Sequence, residues 1–244
     1  MFSSCWCKLT KQPRNMNQKK KTSPAKATKI LLVDDHPMMR EGLRQIIGNE
    51  IDLAVCGEAE NAFQALELVK SEKPDLVLAD ITLPDKNGLE LLKDLQAQHP
   101  KLPVLVISMH DEALYAERVL RAGGRGYIMK HEGGKKIMQA IRHVLSGQIF
   151  VSEKMSARIL ELFSGHGTQA ASSPIENLTD REFEVFRLIG EGLSTKEIAA
   201  NMHVSAKTVE VHRMNIKTKL GLKTAAELIR YTVRWVESQS TSGL

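Results

Sequence analysis

The chain has 244 residues, a formal net charge of +5 at pH 7, a 42% hydrophobic composition and 3 cysteines. That length and apolar fraction suit two ordinary globular cores. No run nears the ~18 consecutive apolar residues of a membrane helix and no secretory segment opens the chain, so a cytoplasmic protein is expected. Cys5, Cys7 and Cys56 form no even, spaced framework, which favours reduced thiols over disulfides.

The charge is uneven. Residues 1–29 hold about eight Lys/Arg and no acid, so most of the basic excess sits in MFSSCWCKLTKQPRNMNQKKKTSPAKATK. This polar, Lys-rich stretch lacks apolar periodicity and predicts a disordered basic extension over 1–28.

From there to about 150 the pattern alternates. The apolar runs ILLV (30–33), LAVC (53–56), LVLA (76–79), VLVI (104–107) and YIM (127–129) predict strands. Amphipathic stretches at 37–48, 61–72, 87–98, 111–122 and 134–146 predict the helices between and after them. Such an alternation implies a doubly wound five-stranded parallel sheet covered on both faces, with ligands at the carboxyl edge of the strands. The residues that close the runs are mostly polar. The first run ends in Asp34-Asp35, the third in Asp80 and the fourth in Ser108, and Lys130 comes directly after the fifth.

Three carboxylates at one sheet edge repel each other unless a divalent cation keeps them ionised, and an all-oxygen donor set favours Mg²⁺. An ammonium (Lys130) and a hydroxyl (Ser108) suit the oxygens of a phosphoryl group, and a carboxylate between them can be its nucleophilic acceptor. His36, His110 and His131 also lie near strand tips, but none has a His or Cys partner at ligand spacing.

In order along the chain, VDDHP (33–37), LADITLPDKNG (78–88), ISMHDE (107–112) and GYIMK (126–130) resemble the receiver domain of bacterial two-component response regulators, over about 120 residues. The resemblance implies a flavodoxin-like fold in which Asp80 accepts a phosphoryl group from a sensor histidine kinase. It also implies that Asp35, Asp80 and the backbone carbonyl of Thr82 hold Mg²⁺, with Asp34 acting through a water and Lys130 contacting the phosphoryl group. Ser108 and Tyr127 would form the switch pair, the ring turning into the space that the hydroxyl vacates.

Past Val151, SEKMSARILELFSG (152–165) predicts one amphipathic helix and HGTQAASSPIEN (166–177) a flexible tether. Capping boxes then start helices at Thr179/Glu182, Ser194/Glu197 and Thr224/Glu227, Ser205 caps another, and Gly192 and Gly221 supply stops. The helices expected are 180–190, 195–202, 206–220 and 224–236, with 194–220 proportioned as a helix-turn-helix. Ile198, Val204, Val209, Ile216 and Leu220 form its inward stripe, and the second helix turns Lys207, Thr208, Glu210, Val211, Met214, Lys217 and Thr218 outward. Lys207, Arg213, Lys217 and Lys219 suit DNA phosphates, while Glu210, Val211 and Met214 lie where base edges would be read.

LTDREFEVFRLIGEGLSTKEIA (178–199) and VSAKTVEVHRMNIKTKL (204–220) are similar to the LuxR-type DNA-binding domain, and the two domains in this order resemble the NarL/FixJ subfamily. The expected organisation is an extension (1–28), a receiver (29–150), a linker helix and tether (151–177) and an all-α helix-turn-helix domain (178–244). The expected function is a phosphorylation-dependent transcriptional regulator, not an enzyme, that dimerises on promoter DNA. Two rivals stand beside it: a regulator with a non-phosphorylated receiver governed by protein contacts, and a Mg²⁺-dependent phosphohydrolase. The latter would want a second acid two positions after its nucleophile, where this chain has Thr82.

Overall fold

The computed structural model describes residues 27–163 and 174–241. The disorder expected over 1–28 falls outside the described residues except at its end, where Thr28 already opens the first strand. Strands β1 (Thr28–Val33), β2 (Leu53–Ala59), β3 (Leu76–Ala79), β4 (Val104–Ser108) and β5 (Gly126–Met129) form one parallel sheet of order β2-β1-β3-β4-β5.

Alternation along the strands sorts the core. Ile30 and Leu32 point to one face, where α1 (Pro37–Gly48) and α5 (Gly133–Leu145) bring Leu43, Ile47, Ile137 and Ile141. Leu31 and Val33 point to the other, against α2 (Ala62–Glu72), α3 (Gly88–Gln98) and α4 (Glu112–Arg121). With both faces shut, only the strand tips are free to build a site. The strand order reverses between β1 and β3, and the two loops leaving that point carry Asp34-Asp35 and Asp80.

Side-chain caps start most of the helices, including all four predicted in the C-terminal part. Asn61, Asn87 and Asp111 accept backbone N–H bonds at α2, α3 and α4. Complete capping boxes start α7 (Asp180–Gly190) at Thr179/Glu182 and α8 (Thr195–Asn201) at Ser194/Glu197. Ser205 caps α9 (Ala206–Leu220), and Thr224 exchanges bonds with Glu227 at the start of α10 (Ala225–Thr241). Gly192 and Gly221 take the left-handed backbone, with φ of 89° and 67°. Ile198, Val209 and Ile216 are fully buried, and Phe186 meets Trp235 and Tyr231 edge-on at 5.3 and 6.0 Å.

The tether differs from expectation. The helix after the sheet is α6 (Glu153–Phe163), residues 166–173 lie outside the described residues, and Pro174–Asn177 forms a 3-10 turn with Ile175 buried. Tertiary contact orders this turn: Arg118 of α4 donates to the carbonyls of Ile175 (2.8 Å) and Leu178 (3.1 Å) and lies 4.0 Å over the Phe183 ring. Asp180 accepts from Lys93 at 2.6 Å and meets Arg118 at 3.4 Å, and Asn87 donates to Glu184 at 2.9 Å. The helical domain thus docks on α3 and α4 through α7, and the apolar core continues across the junction.

Candidate functional site

Asp34 continues β1, its N–H donating to Ala59, and Asp80 continues β3, its N–H donating to Val33 at 2.8 Å. These ladder bonds carry both carboxylates to one edge. Asp34 and Asp80 are buried and Asp35 half-buried, and one ligand atom from each of Asp34, Asp35, His36 and Asp80 falls within a 4.8 Å cluster. Lys130, at the tip of β5, places Nζ 2.6 Å from Asp34 Oδ2 and 2.7 Å from Asp80 Oδ2. Asp80 Oδ1 is buried with no hydrogen-bond partner. One oxygen of the central carboxylate is held and the other is bare.

Burial pushes the Asp80 carboxyl above its ordinary value; Lys130 pulls it back and Asp34 pushes it further up. The Lys130 ammonium is opposed by burial, but Asp80 and Asp34 outweigh that and raise it. A bound divalent cation would relieve the same repulsion that Lys130 relieves now, so the donor set fits a hard ion. The loop after Asp80 is equally constrained: a Cβ on Gly88 would lie 2.1 Å from the Asp80 carbonyl oxygen, so only glycine lets α3 start there.

Ser108 and Tyr127 are both buried on adjacent strands, and the Tyr127 hydroxyl donates to the His110 carbonyl at 2.7 Å. Thr82 spends its hydroxyl on His110 Nε2 at 3.1 Å, and Asp85 receives the first N–H groups of α2. Sequence reasoning gave no role to three residues. His36 reaches Asp35 Oδ1 at 2.7 Å, and its signal was adjacency to the acidic pair. Arg40 donates to the Asp34 carbonyl at 2.6 Å, and was detectable as a charge on the Leu43/Ile47 stripe. His110 carried no pattern beyond its place after a strand.

On α9, Lys207, Glu210, Val211 and Met214 are exposed, and Thr208 and Lys217 are half-buried. Arg213 donates to Thr195 at 3.2 Å and Thr195 to Glu210 at 2.8 Å, tying α8 to α9. Lys219 donates to Glu182 at 2.6 Å and to the Asn177 carbonyl at 3.2 Å, because the α7 capping carboxylate lies beside the end of α9.

Residues 30–142 match the response regulator receiver domain, and residues 176–232 match the bacterial regulatory proteins of the luxR family. The oxygen regulatory protein NreC of Staphylococcus aureus (strain bovine RF122 / ET3-1) is 35% identical over 210 residues, covering 84% of this chain and 97% of that protein. The chain belongs to the two-component response regulators of the NarL/FixJ type. A LuxR-family two-component response regulator from Aurantimonas sp. SI85-9A1 is 33% identical, with a TM-score of 0.53 over 57% of this regulator and 99% of that chain. RcsB of Salmonella enterica serovar Typhimurium, solved on a promoter with the phosphomimetic BeF3-, shares the fold at 24% identity, with a TM-score of 0.57 over 84% of this regulator and 98% of that chain. Among the described residues of the regulator, no helix is long and apolar enough to cross a membrane.

Proposed function

We propose that this regulator is switched by phosphorylation of Asp80 and that the switch controls dimeric binding to promoter DNA. The observation that carries the reading is the Asp80 carboxylate itself, with Oδ2 against Lys130 and Oδ1 buried and unpartnered at the topological switch point. Oδ1 is then the nucleophile. It attacks the phosphorus of a sensor kinase's phosphohistidine, the P–O bond forms as the P–N bond breaks, and the imidazole leaves with the electron pair. Lys130 neutralises charge on the phosphoryl oxygens, and Ser108 then moves its hydroxyl toward them, with Tyr127 as its partner.

Receiver domains bind Mg²⁺ at an acidic pocket. Here Asp35, Asp80 and the Thr82 carbonyl would hold it, with Asp34 acting through a water, and the ion would supply charge neutralisation for the incoming phosphoryl group. The working division is an extension (1–28), receiver (29–150), linker (151–177) and DNA-binding domain (178–244). Lys207, Arg213 and Lys217 set register on phosphates, and Thr208, Glu210, Val211 and Met214 face the groove. We assign Lys219 to holding α7 against α9, with phosphate contact secondary.

The test is intact-protein mass spectrometry after incubation with a small acyl phosphate and Mg²⁺, on wild type, Asp80→Asn and an EDTA control. A phosphoryl adduct on wild type alone supports the reading. No adduct under any condition would leave a DNA-binding regulator whose receiver answers to protein contacts.

A further inference from the structure

We propose that His110 is the positioning residue through which the state of the Asp80 site reaches the docked DNA-binding domain; the proposal rests on the phosphoacceptor reading above. His110 lies two residues past the end of β4 and is held from four sides. Its N–H donates to Ser108 Oγ at 3.3 Å, and its carbonyl accepts from Tyr127 at 2.7 Å. Its Nε2 shares a hydrogen bond with Thr82 Oγ1, two residues past Asp80, at 3.1 Å. Its ring stacks on Tyr115 of α4, with centroids 4.9 Å apart and planes at 20°.

Tyr115 continues the line outward. Its ring, 1% exposed, meets Phe183 of α7 edge-on at 5.4 Å. The charge of Arg187, also on α7, lowers the values of both Tyr115 and His110. One residue therefore touches both members of the switch pair, the phosphoacceptor loop and the aromatic ring that seats the helical domain. Burial, with Arg187 and Lys130 nearby, keeps His110 neutral, its value falling to about 4, so hydrogen bonding and stacking carry the connection rather than charge.

A shift of the Ser108 hydroxyl toward a phosphoryl group takes an acceptor away from the His110 N–H. The turn must then find another partner, and its ring moves with it. Tyr115 is buried against Phe183, and close-packed interiors transmit displacement. The contact with Phe183 changes as a result. By linkage, docking must act back on the loop with the same coupling free energy. Asn87 makes a separate contact with Glu184 and supplies a second, independent attachment of the loop to α7.

A double-mutant cycle on the full chain isolates the route through His110. Hydrogen exchange is followed by mass spectrometry, without donor or metal, over 112–121 and 178–186 in wild type, Thr82→Val, His110→Phe and the double variant. The Thr82 side chain hydrogen-bonds to His110, which lies outside both segments. Its substitution is expected to speed their exchange several-fold in the presence of His110 and to leave it unchanged in the His110→Phe background, where the stack survives but the bond to Thr82 is gone. If thermal unfolding shows that His110→Phe does not fold, His110→Asn replaces it, keeping a polar partner for Thr82 and losing the stack, with the same loss of coupling expected. Thr82→Val acting equally in both backgrounds, or in neither, overturns the proposal. Phosphoryl uptake by wild type is scored separately: its absence would remove the phosphoacceptor reading, while the exchange cycle still decides whether His110 couples the two domains.

Discussion

At the strand tips, Asp34, Asp80 and Ser108 are buried and Lys130 is nearly so, whereas along α9 Lys207, Glu210, Val211 and Met214 stand in solvent. The two regions therefore relate to stability in opposite ways. In the pocket each functional group is also a structural one, since a buried charge is tolerable only with its partner in place. On α9 the two are largely separate: the buried Val209 and Ile216 hold the helix down, while Lys207, Val211 and Met214 stand outward. Substitutions should therefore cost folding energy in the first region and binding in the second.

The sharpest way to break that contrast is Lys130→Met. It leaves Asp34 and Asp80 buried together without their shared cation, and a loss of about 3–5 kcal/mol is expected. Denaturant unfolding measures the loss, and added Mg²⁺ should recover part of it by binding the native state alone. Unchanged stability would mean that the carboxylates share a proton instead. Gly88→Ala comes next. Its Cβ meets backbone rather than a flexible side chain, so the Asp80 loop must shift, with an expected cost of about 3 kcal/mol and slower phosphoryl uptake in the mass assay. A variant of native stability and rate would show that the loop gives freely.

An intermediate case is Glu182, which is buried yet lies in the DNA-binding domain. Burial pushes its carboxyl up, but Lys219 and the Thr179 bonds outweigh burial and hold it below the ordinary 4.5. A lowered folded value means the stabilisation is complete above pH 4.5 and is lost as pH falls through the folded value. Glu197 and Glu227, in the other two boxes, shift the same way. Glu182→Gln should therefore cost about 1 kcal/mol at pH 7, and the difference from wild type should shrink on acidification. A difference that grows toward low pH would reverse the assignment.

The same contrast explains what the sequence disclosed. Strands and their acidic ends were legible because a charge closing an apolar run has no packing reason to be there, as at Asp80. The caps of α7, α8 and α10 were legible because their bonding partners lie three residues apart. The 3-10 turn at Pro174–Asn177 was not, since its order comes from Arg118, some 57 residues away. His110 was missed for the same reason: its partners Thr82, Tyr115 and Tyr127 converge only through the sheet. The Lys219–Glu182 pair was not legible because its two charges sit on different helices.

The smallest effect on folding belongs to the exposed face. Lys207 is solvated at the start of α9, with no ion pair among the described residues, so Lys207→Ala should change stability by no more than about 0.5 kcal/mol. Its effect should appear in binding. If its ammonium sits on a phosphate, its removal releases one counterion fewer, and the slope of log K against log salt should become shallower by about 1, uniformly across operator sequences. Met214→Ala, on the same face but uncharged, should leave that slope alone and weaken binding only where the groove presents the matching base edge. Fluorescence anisotropy on promoter fragments at several salt concentrations separates the two. A slope that moves with Met214 and not with Lys207 would mean that α9 lies on DNA in another orientation, with its charged end away from the backbone.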